Sequence, residues 1–325
     1  MNLSFLLPSR RLLAVFVSVS VAVAPSAVGC SVCGCSLSSD WGLQGYGETP
    51  GAQFSLRYEY FDQTDLRSGT DSINRASLTF PNDNEIQQST TNRNAWLGLD
   101  YVFDAKWAVA LQLPYHDRDH ATIAAGDTAV STSRASGLGD TRVIGRYALL
   151  QGADDNVALQ FGLKLPTGRF DQNFTTGPQA GSPVDRGLQL GTGTTDLLLG
   201  VAWFARPADN LGVFAQALLN QPLAQRAGFR PSPSMTLNSG VRWLNTSAFT
   251  PQLQLNIRWD GREHGVNADR DNSGGLVAYL SPGLTADLNE KVNAFAFVQL
   301  PVYQRVTGLQ LEPRRLLSVG LRFKL

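Results

Sequence analysis

"FTPQLQLNIRWDG", residues 249–261, carries the pattern that decides the fold. Leu253, Leu255, Ile257 and Trp259 alternate with Gln252, Gln254, Asn256 and Arg258. Successive side chains of a strand point to opposite faces, so one face of this segment is apolar and the other polar. The same alternation runs through "GAQFSLRYEYF" (51–61), "NAWLGLDYVF" (94–103), "NVALQFGLKL" (156–165) and the terminal "LLSVGLRFKL" (316–325).

Twelve such segments are predicted, near 51–63, 91–104, 106–115, 137–150, 156–167, 193–206, 210–221, 235–246, 249–260, 274–287, 290–302 and 314–325. Most are a little longer than the roughly 9–11 residues that cross a bilayer as a tilted strand. Their connectors alternate in length. "DAK", "QGADD", "PAD", "NTSA" and "NE" are tight, whereas 64–90, 116–136, 168–192, 222–234, 261–273 and 304–313 are long and polar. Short turns at one end and long loops at the other describe an outer-membrane barrel with its short side in the periplasm. The expected fold is therefore all-β: an antiparallel transmembrane β-barrel of about 12 strands, with both chain ends periplasmic. A soluble sandwich shares the two-residue period but buries its apolar face. Here the opposite face is rich in Arg, Asp, Gln and Asn, and Trp107, Tyr115, Trp203, Trp243 and Trp259 fall near segment ends, as an interfacial girdle does.

The start of the chain supplies an address. Arg10 and Arg11 precede an apolar run, Leu12–Ala24, that ends in small residues. A bilayer-spanning helix needs about 20 apolar residues, so residues 1–29 read as a secretory signal peptide. Residues 30–50 follow as a periplasmic segment, and 51–325 form the barrel. Lys plus Arg and Asp plus Glu each number 27, so charge gives no argument for a nucleic-acid partner. The expected setting is the outer membrane of a Gram-negative bacterium, among lipid and lipopolysaccharide, reached through the barrel assembly machinery.

Sorting by strand parity predicts the lumen. Arg57, Arg142, Arg146, Lys164, Arg242, Arg258, Arg322 and Lys324 face inward, together with Glu59, Asp100, Asp140, Asp196 and Asp260. Asp140 and Asp196 are expected to pair with lumen arginines. A wall with a basic excess holds water and favours anions, although in a narrow barrel the same residues close the path by pairing. No catalytic spacing accompanies His116, His120 and His264, all three placed in external loops, so no enzyme is expected. "NADRDNSGG" (267–275) opens as a calcium loop does, at Asn267, Asp269 and Asp271, but lacks the glycine at its sixth position and the distal Glu of a dedicated site.

"GLGDTRVIGRYAL" (137–149), "LKLPTGRFD" (163–171), "LQLGTGTTDLLLG" (188–200) and "FVQLPVYQRVTGLQLEPRRLLSVGLRFKL" (297–325), taken in that order, resemble the outer-membrane family named for the MetA pathway of phenol degradation. The resemblance covers roughly residues 50–325. It implies a barrel transporter for small aromatic or otherwise hydrophobic solutes. The chain departs from it in ending on Leu325 rather than an aromatic residue, and in its cysteines.

Cys30, Cys33 and Cys35 are the only cysteines. "AVGC" resembles a lipid-attachment box ending at Cys30. Three thiolates in one short segment also suit Cu(I) or Zn(II), and a local disulfide is a third reading. Two functions follow: a channel for passive passage of small molecules, or a docking barrel that presents a periplasmic metal- or redox-active segment.

Overall fold

The structure is a computed structural model and describes residues 50–244 and 248–325. The expected signal peptide and the cysteines at 30, 33 and 35 lie outside the described residues. Among the described residues there are thirteen strand elements: β1 (Gly51–Gly69), β2 (Asp71–Ser72), β3 (Ile86–Val102), β4 (Trp107–Ile123), β5 (Ser131–Leu138), β6 (Thr141–Gln151), β7 (Asp155–Leu165), β8 (Asp196–Ala208), β9 (Leu211–Pro222), β10 (Ser234–Trp243), β11 (Phe249–Asp260), β12 (Gly275–Asp287) and β13 (Val292–Lys324). Among the described residues, the helical pieces are two 3-10 turns, Arg75–Ser77 and Arg186–Leu188.

Each strand of the ring pairs antiparallel with its neighbours, and β13 closes the sheet by pairing with both β12 and β1. Eleven elements form the ring, with β2 and β5 off it. The last of the eleven crosses the wall twice. Residues 293–306 of β13 pair with β12 and residues 306–324 pair with β1, and Gln304 Nε2 donates to the Pro313 carbonyl at 2.9 Å. Only a reversal brings those residues together, and Gly308, at φ 66°, lies between them in the left-handed region that favours glycine. The wall is thus crossed twelve times, as expected, and the predicted loop 304–313 is instead a tight hairpin.

Two other expected loops are shorter than predicted. β1 runs on to Gly69 and β3 begins at Ile86, which trims the predicted loop 64–90 from both sides. β4 continues to Ile123, where its outer residues pair with β5 while its inner residues pair with β6. β5 and β6 together make one wall strand broken at Gly139 and Asp140. His116 and His120 consequently sit in a strand and not in a loop. Their side chains face inward, bonded to Asn94 (2.7 Å) and Thr90 (2.9 Å) respectively. At about 3.3 Å per residue their backbones are about 13 Å apart, too far to share a metal. His264 does lie in a loop, bridged to Arg230 through the backbone.

Burial is inverted relative to a soluble protein. Asn256, Gln254, Gln299 and Ser281 are buried, whereas Leu99, Leu199, Leu237 and Leu255 are exposed. Trp107, Tyr115, Trp203, Trp243 and Trp259 all point outward. In lipid every backbone N–H and C=O must pair within the protein, and a closed sheet alone among β structures achieves this. Inside, aromatic rings pack over glycines on the next strand, Phe214 on Gly240, Phe297 on Gly283 and Phe295 on Gly320, where a side chain would collide with the ring. Detergent-solubilised protein should give a β-type circular-dichroism spectrum and migrate differently on gels with and without boiling. A helical spectrum would contradict the fold.

Candidate functional site

The connections at the end opposite the termini are long, and one of them shapes the interior. Residues 166–195, between β7 and β8, fold back onto the barrel so that Leu188, Gln189 and Leu190 are buried. Two anchors hold them. Arg118 on β4 donates to the Leu188 carbonyl. Asp140, at the break between β5 and β6, accepts from Gly168 N at 3.0 Å and from Thr192 N and Oγ1 at 2.9 and 2.7 Å.

Below this loop lies a cavity of about 310 Å³. Its cations are Arg57, Arg118, Arg142, Lys164, Arg186 and Arg258, and its carboxylates are Glu59, Asp140, Asp196, Asp260 and Glu263, an excess of one cation. Of the residues predicted to line the lumen, the cavity collects Arg57, Glu59, Asp140, Arg142, Lys164, Asp196 and Arg258. Asp100, Arg146, Arg242 and Arg322 lie outside it, nearer the end that carries the termini.

Most of these charges neutralise one another. Arg57 Nε lies 2.8 Å from Glu59 Oε1, and Arg258 Nη2 lies 2.6 Å from Asp260 Oδ1. Outside the cavity Arg146 pairs with Asp100 at 3.1 Å, and Arg322 bonds Gln53. Asp140 and Asp196 do not pair with arginine as expected. Both take Lys164, whose Nζ is 3.2 Å from Asp140 Oδ2 and 2.8 Å from Asp196 Oδ2. The reason is register: Lys164 is directly opposite Asp196 on β8, and its other neighbour, Arg142, stands beside Asp140. One ammonium therefore ties three strands to the inward loop.

Arg142 is the exception. Among the described residues its side chain makes no ion pair and no hydrogen bond. Its guanidinium lies 5.3 Å from the centroid of Trp96, and Arg57 lies 5.1 Å from the same ring. Trp96 Nε1 donates to Glu59 Oε2 at 3.0 Å, which fixes the indole in place. In "NAWLGLDYVF" Trp96 falls on the face opposite Leu97 and Leu99, which is the inward face of β3. A lone large aromatic on a polar face was the signal for a site residue, and a reading by charge passes over it. Arg118 and Arg186 were missed because they were assigned to external loops.

A polar-lined, lipid-faced closed barrel with loops folded into its mouth defines the outer-membrane barrels. Searches of the sequence found no matching family model and no matching curated protein. Among solved structures the chain is similar to an outer membrane channel from Pseudomonas putida F1, at 12% identity over 85% of this chain and 96% of that one, TM-score 0.64. It also matches the Ralstonia pickettii toluene transporter TbuX at 8% identity over 85% and 90%, TM-score 0.43, and the NanC porin at 10% over 84% and 100%, TM-score 0.46. The fold places the protein in the outer membrane of a Gram-negative cell.

Replacing Lys164 leaves two buried carboxylates without their cation, a loss worth about 3–5 kcal/mol. Lys164→Met should lower unfolding stability in urea by about that amount, followed by tryptophan fluorescence in lipid vesicles. Adding Asp140→Asn and Asp196→Asn should recover much of it. Unchanged stability in Lys164→Met would remove the node.

Proposed function

We propose that the protein is a passive channel for small solutes, with a preference for aromatic anions. The carrying observation is Arg142, a guanidinium that faces the cavity, has no carboxylate partner among the described residues and lies beside the Trp96 ring. A solute carboxylate bonds such a guanidinium with charge-assisted hydrogen bonds, and an aromatic body adjoins the indole and the apolar wall of Ile144 and Leu198. The paired charges around it keep the cavity wet without competing for the anion.

The cavity volume favours single-ring solutes, since pockets for small molecules start near 300 Å³. The similarity to an outer membrane channel supports passage rather than turnover. The aromatic preference rests on the Trp96 ring beside Arg142.

Loss of one charge-assisted contact worth about 1.4 kcal/mol changes affinity about tenfold. In proteoliposomes, Arg142→Gln should reduce benzoate influx by roughly that factor and leave the influx of an uncharged sugar of similar size unchanged. Arg142→Lys should retain part of the benzoate flux. Equal loss for both solutes, or loss for neither, would remove Arg142 from the selectivity step.

A further inference from the structure

Three carboxylates from three separate external connections meet at one point. Glu85 precedes β3, Asp185 belongs to the connection between β7 and β8, and Asp269 lies between β11 and β12. Each offers an oxygen, and these oxygens all lie within 4.8 Å of one another. The strands they follow or precede are not neighbours in the ring, so the meeting point lies across the mouth. None of the three has a cationic partner among the described residues. Burial, then the Asp185 carboxylate, raises Glu85 to about 8, and the same two causes raise Asp269 to about 6.

A second feature points to a ligand. Thr122, on β4, is fully buried, and its Oγ1 meets no hydrogen-bond criterion with any described residue. The hydroxyl lies against the Glu85 carboxyl. Directly across the ladder, Gln87 Oε1 is also buried without a partner. The Thr122 hydroxyl beside three converging carboxylates makes an all-oxygen donor set.

We propose that Glu85, Asp185 and Asp269, with Thr122 Oγ1, bind one calcium ion that ties these three connections together over the external mouth. Calcium takes oxygen ligands at about 2.3–2.6 Å, so two oxygens on opposite sides of one ion are about 4.8 Å apart, the span of this cluster. Magnesium demands a tighter, near-octahedral shell and gives up its water reluctantly. An affinity in the range of extracellular calcium modules, Kd about 10⁻⁴–10⁻³ M, is expected. The isolated reading of "NADRDNSGG" saw only Asp269; its partners come from elsewhere in the chain. This site does not depend on the nature of the solute.

The test uses the full chain refolded into detergent without lipopolysaccharide, stripped with EDTA and titrated with calcium chloride alone by calorimetry. About one saturable site is expected, together with a rise in the melting temperature and a weaker response to magnesium. Asp269→Asn should weaken binding at least tenfold. Glu85→Gln/Asp185→Asn/Asp269→Asn should abolish it while keeping the heat-dependent gel shift. No saturable binding by the wild-type chain, or binding unchanged in Asp269→Asn, would overturn the proposal, even if the triple variant failed to fold.

Discussion

Everything in this barrel depends on the seam between β1 and β13. In hydrocarbon an unpaired backbone N–H or C=O costs several kcal/mol, so a sheet in lipid has no tolerable edge. The seam removes the edge along nearly the whole of β1, from Gln53 opposite Lys324 to Gly69 opposite Val306. Closure then makes the two faces unequal. Every second side chain meets lipid and the others meet one another, and for that reason Leu255 is exposed while Asn256, beside it, is buried.

The inner set must then satisfy itself. Hydrogen-bond chains such as Ser281 to Asn256 to Asn238 to Gln216 to Gln160 run from β12 through β11 and β10 to β9 and then reach past β8 to β7. Charges do the same through Arg57 with Glu59, Arg258 with Asp260, and Lys164 with two carboxylates. Buried charge is tolerated when paired and bonded. Against that background a guanidinium without a partner is a functional signal, and Arg142 is where the reading of function rests. The inward loop matters for the same reason, because Asp140 holds both the loop and Lys164 beside Arg142.

The strand count, the sense of the loops and the two faces were legible in the sequence, because the lipid belt imposes a strict apolar period. Above the belt the period vanishes although the strands continue. There the outward face of β3, β4 and β5 carries Arg93, Asp117, Asp119 and Arg134, linked by ion pairs such as Arg93 to Asp119 at 2.7 Å. Polar residues on both faces look like loop, so "HDRDH" was assigned to one and Arg118 was lost with it. The β13 hairpin was hidden in the same way by "RVTGLQLEPRR". Which acid takes which base was not legible either. Parity gives the face, but only register puts Lys164 opposite Asp196. The meeting of Glu85, Asp185 and Asp269 lay further out of reach, since no local pattern joins three loops.

On this reading a water-filled, anion-favouring path runs through a lumen most of whose other charges are internally paired. The most direct test is the reversal potential of single channels in a planar bilayer, measured with the full chain under a potassium chloride gradient. Discrete openings whose reversal potential has the sign of chloride preference are predicted. A bilayer that stays silent with correctly folded protein inserted, or a reversal potential of the opposite sign, would contradict the account.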